Sequence, residues 1–278
     1  MDLGVLINLY EQTDVPAAFR EATDAGFGRG QVSSFVHGIT AQEVRRIARC
    51  ARDAGFKVDA IGCYINPLRL DDVSLHGVDS LDWRMWAENM GMLGADKIVC
   101  WSGTLGRTLG APTLLNGEAQ TFNSLFIALS GLLEMARGLP LHILLEPYTA
   151  HVLGDAAMCV RLARKFPGGD VRVVLDAPNL LPARRPPSGP RLAETVSQMV
   201  ASLAPAVGLV HLKDFATGAD GLPRFFRAGA GSLDYGEYLR AIARFLPEVP
   251  VVIEQVSGVA EMRAAREFVQ KTLKECGL

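Results

Sequence analysis

Leu141-His142-Ile143-Leu144-Leu145-Glu146 is a near-continuous apolar run of strand length closed by an acid. Asp155 to Phe166 reads as a helix, and Val171-Arg172-Val173-Val174-Leu175-Asp176 then repeats the strand and again ends on an acid. Strands that are apolar on both faces belong to a parallel sheet covered by helices. The same alternation extends toward the C-terminus: a helix at Leu192–Leu203, a strand at Val207–Leu212, a helix at Asp234–Leu246, a strand at Val249–Glu254 and a helix at Val259–Leu273. Toward the N-terminus, strands at Val5–Tyr10, Gly30–Phe35, Lys57–Ile65 and Lys97–Trp101 alternate with helices at Pro16–Ala25, Thr40–Ala54, Leu81–Leu93 and Gly117–Arg137. Thr40 followed by Glu43 is a capping box. Eight strands, each followed by a helix, predict an α/β chain closed into a single (β/α)8 TIM barrel. No composition break divides residues 1–278, so one domain is expected. An open doubly wound sheet is the alternative, but it leaves two edges to protect.

Composition narrows the function. The 278 residues are 49% hydrophobic and 21% charged, enough apolar content for a large core and incompatible with a disordered chain. Twenty-eight Lys and Arg against 30 Asp and Glu give a net charge of −2, which argues against a partner such as nucleic acid or an anionic membrane. No apolar run approaches the ~18 residues of a transmembrane helix, and Met1-Asp2-Leu3-Gly4-Val5-Leu6 lacks the pattern of a signal peptide. The five cysteines are never spaced C-x-x-C, so reduced thiols in a cytoplasmic protein are expected.

A barrel carries its active site at the C-terminal ends of its strands. The fifth strand ends on Glu146, the sixth on Asp176, the seventh carries Val210-His211-Leu212-Lys213-Asp214, and the eighth ends on Glu254. Taken singly, a carboxylate there is often a helix cap, and a histidine between apolar neighbours is often a core residue. Together they converge on the barrel axis, where three carboxylates need a cation. Oxygen-rich ligation with one imidazole suits Mn²⁺ best, with Mg²⁺, Co²⁺ or Zn²⁺ as alternatives.

The segments Leu144-Leu145-Glu146-Pro147, Leu175-Asp176-Ala177-Pro178-Asn179, Val210-His211-Leu212-Lys213-Asp214 and Val252-Ile253-Glu254-Gln255 resemble the xylose isomerase-like TIM-barrel superfamily, in its sugar phosphate isomerase/epimerase group. Gly229-Ala230-Gly231-Ser232-Leu233-Asp234-Tyr235 is similar to that group's G-x-G-x-x-D segment. The resemblance implies that Glu146, Asp176, His211 and Glu254 bind one divalent metal, and that Glu146 and Glu254 are the catalytic proton carriers. Asn179 stands where such enzymes place a substrate contact, and Lys213 shares the parity of the metal histidine. The implied chemistry is proton transfer beside a carbonyl through a metal-stabilised enediolate. That makes the chain a sugar, sugar-phosphate or keto-polyol isomerase or epimerase of carbohydrate metabolism, with an inosose-type dehydratase on the same site as the alternative. The substrate shell departs from ketose epimerases: Glu146 is followed by Pro147-Tyr148-Thr149-Ala150-His151, without their Asn, Arg and second Glu.

Further substrate-binding candidates are Trp101, His151 and Arg227. Trp101 at the end of the fourth strand suits a sugar face, His151 follows Glu146, and Arg224 and Arg227 precede the glycine segment. His142 reads as a core residue, His76 as surface, and His37 as a loop residue within reach of the mouth. Arg184-Arg185 reads as solvated surface, or as part of a lid. Gly26-Phe27-Gly28-Arg29-Gly30 follows a helix and opens a strand, the reverse of a dinucleotide-binding turn. Two other classes compete: an AP-endonuclease-like metal phosphodiesterase, which five histidines and a balanced charge disfavour, and a non-catalytic sugar-binding barrel. The stripe Phe122–Ile127 reads either as the subunit interface of a homo-oligomer or as packing on the barrel.

Overall fold

A computed structural model describes residues 1–74, 77–182 and 186–278; His76 and Arg184-Arg185 lie outside the described residues. The strands are β1 (Leu3–Leu9), β2 (Arg29–Ser34), β3 (Lys57–Gly62), β4 (Lys97–Trp101), β5 (His142–Glu146), β6 (Val171–Leu175), β7 (Val207–Leu212), β8 (Asp214–Thr217), β9 (Pro223–Phe226) and β10 (Val251–Ile253). The helices are α1 (Val15–Asp24), α2 (Ala41–Asp53), α3 (Ser80–Asn89), α4 (Ala119–Met135), α5 (Ala156–Ala163), α6 (Ala177–Leu180), α7 (Gly189–Leu203), α8 (Tyr235–Phe245) and α9 (Gly258–Glu275). Strands β1 to β7 and β10 pair in parallel and close into a barrel through β10 against β1, while β8 and β9 form a separate antiparallel hairpin. The barrel is the expected (β/α)8 architecture; the hairpin and the one-turn helix α6 are additions to it.

Local chemistry explains the elements. Thr40 and Glu43 form the capping box at the start of α2, a device of about 1 kcal/mol. On α3, Trp83 and Trp86 are buried without residual exposure. On α4, Phe122 and Leu125 pack inward while Ile127 stays exposed, so the apolar stripe serves chiefly the barrel. Within the glycine run the packing requirement falls on Gly30, inside β2, whereas a Cβ at Gly28 would meet open space. A Cβ at Gly30 would stand 1.8 Å from the Val5 carbonyl oxygen, where β2 shifts register against β3.

Inside the barrel, Leu6, Val99, Leu144, Val174, Leu209 and Val252 form one buried layer. Side chains alternate along a strand, so the residue two places later points the same way, one step nearer the C-terminal mouth. From β5, β6, β7 and β10 that step delivers Glu146, Asp176, His211 and Glu254. From β1 and β4 it delivers Asn8 and Trp101.

Candidate metal centre and active site

Parallel register decides which of these side chains meet. Leu175 stands opposite Val210, and Val252 opposite His211. Asp176 is therefore level with His211, and Glu254 with Lys213. Glu146 pairs with Trp101 across β5 and β4. Glu146, Asp176 and His211 each offer a ligand atom within 4.8 Å of the others. His211 Nδ1 lies 3.4 Å from Glu146 Oε2 and 3.8 Å from Glu254 Oε2. All four side chains are buried. The two glutamates stand three strands apart around the ring and flank the imidazole.

A directional hydrogen-bond relay fixes that imidazole. Tyr64 O–H donates to Glu146 Oε2 at 2.8 Å. Gln31 Nε2 donates to Tyr64 OH at 3.0 Å and to Ser33 Oγ at 2.9 Å. Gln31 Oε1, at 3.0 Å, is thereby left to accept from His211 Nε2–H. A neutral ring with its proton on Nε2 presents a bare lone pair at Nδ1, aimed at two carboxylates. Burial lowers the His211 pKa, which disfavours a second proton there. His211 Nδ1 and Asp176 Oδ1 are buried without a hydrogen-bond partner among the described residues. Glu254 Oε1 lies 2.8 Å from Lys213 Nζ, but without hydrogen-bond alignment. Orphaned lone pairs converging in this way fit a cation.

Charge balance points the same way. Lys213 Nζ contacts Asp176 Oδ2 and Glu254, and it is the one ammonium buried beside the three carboxylates Glu146, Asp176 and Glu254 among the described residues. Burial, with repulsion from Glu254 and Glu146 against the pull of Lys213, pushes Asp176 up to about 8. Burial, then the charge of Glu254, pushes Glu146 up to about 7. Burial also acts on Glu254, but the charge of Lys213 outweighs it and holds that carboxyl below its ordinary value. One dication would bring the formal sum of these groups to zero. The donor set is three carboxylates and one imidazole, with no thiolate, which suits Mn²⁺ or Mg²⁺.

The mouth above is a cavity of about 330 Å³. Glu146, Asn179, Lys213 and Glu254 line one side, and Phe35, Tyr64 and Trp101 line the other. Asn179, on α6, donates from Nδ2 to Glu146 Oε1 at 3.0 Å. Gln255 also lines the cavity, at φ +57, the one non-glycine residue with positive φ among those described. The left-handed turn lets two consecutive residues, Glu254 and Gln255, face the same space, at a cost of order 1 kcal/mol.

Two proposed substrate contacts stand elsewhere. His151 is buried behind the wall. Its Nδ1 meets Ser102 Oγ at 3.1 Å and its Nε2 meets the Leu109 carbonyl at 3.2 Å, which occupies both nitrogens and pins the loop whose Leu109 and Gly110 line the cavity. Burial lowers its pKa to about 4. Arg227 donates to the Ala228 carbonyl and does not line the cavity. Of the weaker candidates, Arg224 pairs with Asp220, and His37 pairs with Asp82 in the α3 cap. His142 is half-buried at the opposite end of the barrel and bonded to Gly169 O, rather than in the core.

Sequence reasoning missed Gln31 and Tyr64. It also missed why Asp214 follows Lys213: Asp214 is buried and accepts from Phe215, Gly231 and Leu233 N–H, so it clamps the glycine segment beneath the hairpin. Phe225 of β9 lies under Lys213 Nζ, 4.7 Å from the ring centre.

Residues 19–272 match the xylose isomerase-like TIM barrel family. No curated protein matches the chain at a significant level. Among solved structures, a D-psicose 3-epimerase in the presence of D-fructose is 15% identical, with a TM-score of 0.70, over 100% of both chains. The apo 3-keto-D-glucoside 4-epimerase of E. coli is 16% identical, with a TM-score of 0.67, over 98% of this chain and 99% of that one. A xylose isomerase-like TIM barrel protein from Mycobacterium smegmatis, in complex with magnesium, is 14% identical, with a TM-score of 0.69, over 95% and 90%. With eight parallel strands closed around a buried set of acids and one imidazole, and with 19–272 matched, the chain belongs to the xylose isomerase-like TIM barrel family.

Proposed function

We propose that the chain is a divalent-metal-dependent sugar isomerase or epimerase. The carrying observation is the pair Glu146 and Glu254, set on either side of an unprotonated, cation-seeking His211 Nδ1 at the floor of a cavity. Neighbours of the same fold that are sugar epimerases support the reading. Glu146, Asp176, His211 and Glu254 would hold the ion. When bound, it supplies a Lewis acid that makes a carbon beside a carbonyl more acidic.

The chain's own residues move the proton. Lys213 keeps Glu254 ionised, so Glu254 is the base in the forward direction. Glu146, set on the opposite side of the imidazole, is the group that returns a proton. The roles reverse for the back reaction. Tyr64 and Asn179 hold Glu146 by one oxygen each and fix its aim. The aromatic wall excludes water from the face away from the acids. Return of the proton to the same carbon epimerises the sugar; return to its neighbour isomerises it.

Solvent exchange tests this. The protein with Mn²⁺ in D₂O should introduce deuterium into a ketose from a panel of D-fructose, D-psicose and L-ribulose, and Glu254→Gln should abolish incorporation while retaining the fold. Undiminished incorporation by Glu254→Gln would refute the assignment.

A further inference from the structure

We propose that the sugar handled at this mouth carries a flat apolar substituent, an aryl group or its like, which lies along a strip of rings leading out of the cavity. The proposal rests on the sugar reading above and adds which kind of sugar. The strip runs Trp101, Tyr64, Phe35, Tyr10, from the ends of four successive strands, β4 to β1. Trp101 and Tyr64 have ring centres 4.9 Å apart, Tyr64 and Phe35 are parallel within 1° at 5.8 Å, and Phe35 and Tyr10 within 15° at 5.2 Å. Parallel rings in face contact stand about 3.5 Å apart in height, so these centre separations describe an offset staircase, in which Tyr64 is buried, Trp101 and Phe35 are half-buried and Tyr10 is exposed. Its inner end touches the site, since Tyr64 donates to Glu146. Its outer end reaches solvent, since Tyr10 is 47% exposed. Tyr10 also lines a neighbouring cavity of about 280 Å³ whose walls include Val36, Ile39 and Ile47.

The cavity's polar groups are gathered on the other side. Asn179 is already bonded to Glu146, and Lys213, the one cation lining the cavity among the described residues, is engaged by Asp176 and Glu254. Among the described residues lining the cavity, a phosphate at the far end of the substrate would meet no cation other than Lys213. A bare sugar, with a hydroxyl on nearly every carbon, would turn several of them toward Leu6 and the ring faces of Phe35, Tyr64 and Trp101, which do not bond them. A sugar ring seated on the acids, with its substituent laid on the rings, leaves neither problem.

Equilibrium binding to the full chain with Mn²⁺ tests this, using methyl β-D-glucoside, phenyl β-D-glucoside and glucose 6-phosphate as probes. The phenyl glucoside should bind about tenfold more tightly than the methyl one, from the added ring contacts. Tyr10→Ala, at an exposed position, should narrow that ratio to about threefold or less. Equal affinity for the two glucosides, or an unchanged ratio in Tyr10→Ala, overturns the aryl assignment and leaves the sugar reading standing. Tighter binding of glucose 6-phosphate than of either also overturns it, in favour of a phosphorylated substrate. Binding of none of the three overturns this inference, while deuterium exchange into the ketose panel decides the sugar reading separately.

Discussion

Gln31→Leu is the substitution that most sharply tests the reasoning about His211. Gln31 makes three side-chain hydrogen bonds: it accepts from His211 Nε2–H and donates to Tyr64 OH and Ser33 Oγ. Leucine is close in volume and makes none of them. The His211 ring then loses the acceptor that fixes its proton on Nε2 and its lone pair on Nδ1. Removing an outer partner of a ligating histidine typically costs ten- to a hundredfold in metal affinity, or about 1.4–2.7 kcal/mol. The buried donor left at Nε2 costs a further ~1–3 kcal/mol of folding stability. Isothermal titration with Mn²⁺ and a urea melt read the two effects separately. Wild-type Mn²⁺ affinity in a folded Gln31→Leu protein would show that the relay does not set the ligand atom, and the tautomer argument would fall.

Other outcomes follow from the same geometry. Lys213→Met removes the ammonium between Asp176 and Glu254, so the metal-free variant should lose about 3–5 kcal/mol, and Mn²⁺ should raise its melting temperature more than it raises the wild type's. His151 is held neutral in the fold at a pKa of about 4 against an ordinary 6.5, so it stabilises above pH 6.5, and its contribution is lost as pH falls toward 4. The difference in unfolding free energy between wild type and His151→Gln, followed from pH 7 to 4, should therefore shrink by about 3 kcal/mol, and a flat difference would contradict the buried neutral ring. Gly231→Ala would place a Cβ 2.4 Å from the Phe215 carbonyl oxygen and 2.5 Å from Asp214 Oδ1; a denaturant melt should show a loss of about 2 kcal/mol or more.

The parts of the site legible in the sequence are those that strand parity controls. Glu146, Asp176, His211 and Glu254 each close or follow an unbroken apolar run, and once the runs are strands of one barrel their ends must converge. Gln31 and Tyr64 were not legible as partners. They sit 180 and 82 positions from the side chains they bond, His211 and Glu146, and nothing local marks a glutamine as the orienter of a histidine. His151 misled because loop paths are not periodic: its position after Glu146 suggested the cavity, and the chain instead folds it against Ser102 and Leu109. The hairpin of β8 and β9 had a signal in Asp220-Gly221 at its turn, but a pair of four-residue strands carries too little alternation to stand out beside the barrel.

Metal titration, with direct metal analysis of the dialysed protein, tests the centre of the account most directly. Wild-type protein should take up one Mn²⁺ per chain, and His211→Leu or Asp176→Ala should retain the barrel fold by circular dichroism and lose that binding. Two or more ions per chain, or unimpaired uptake by both variants, would contradict a single dication held between these side chains.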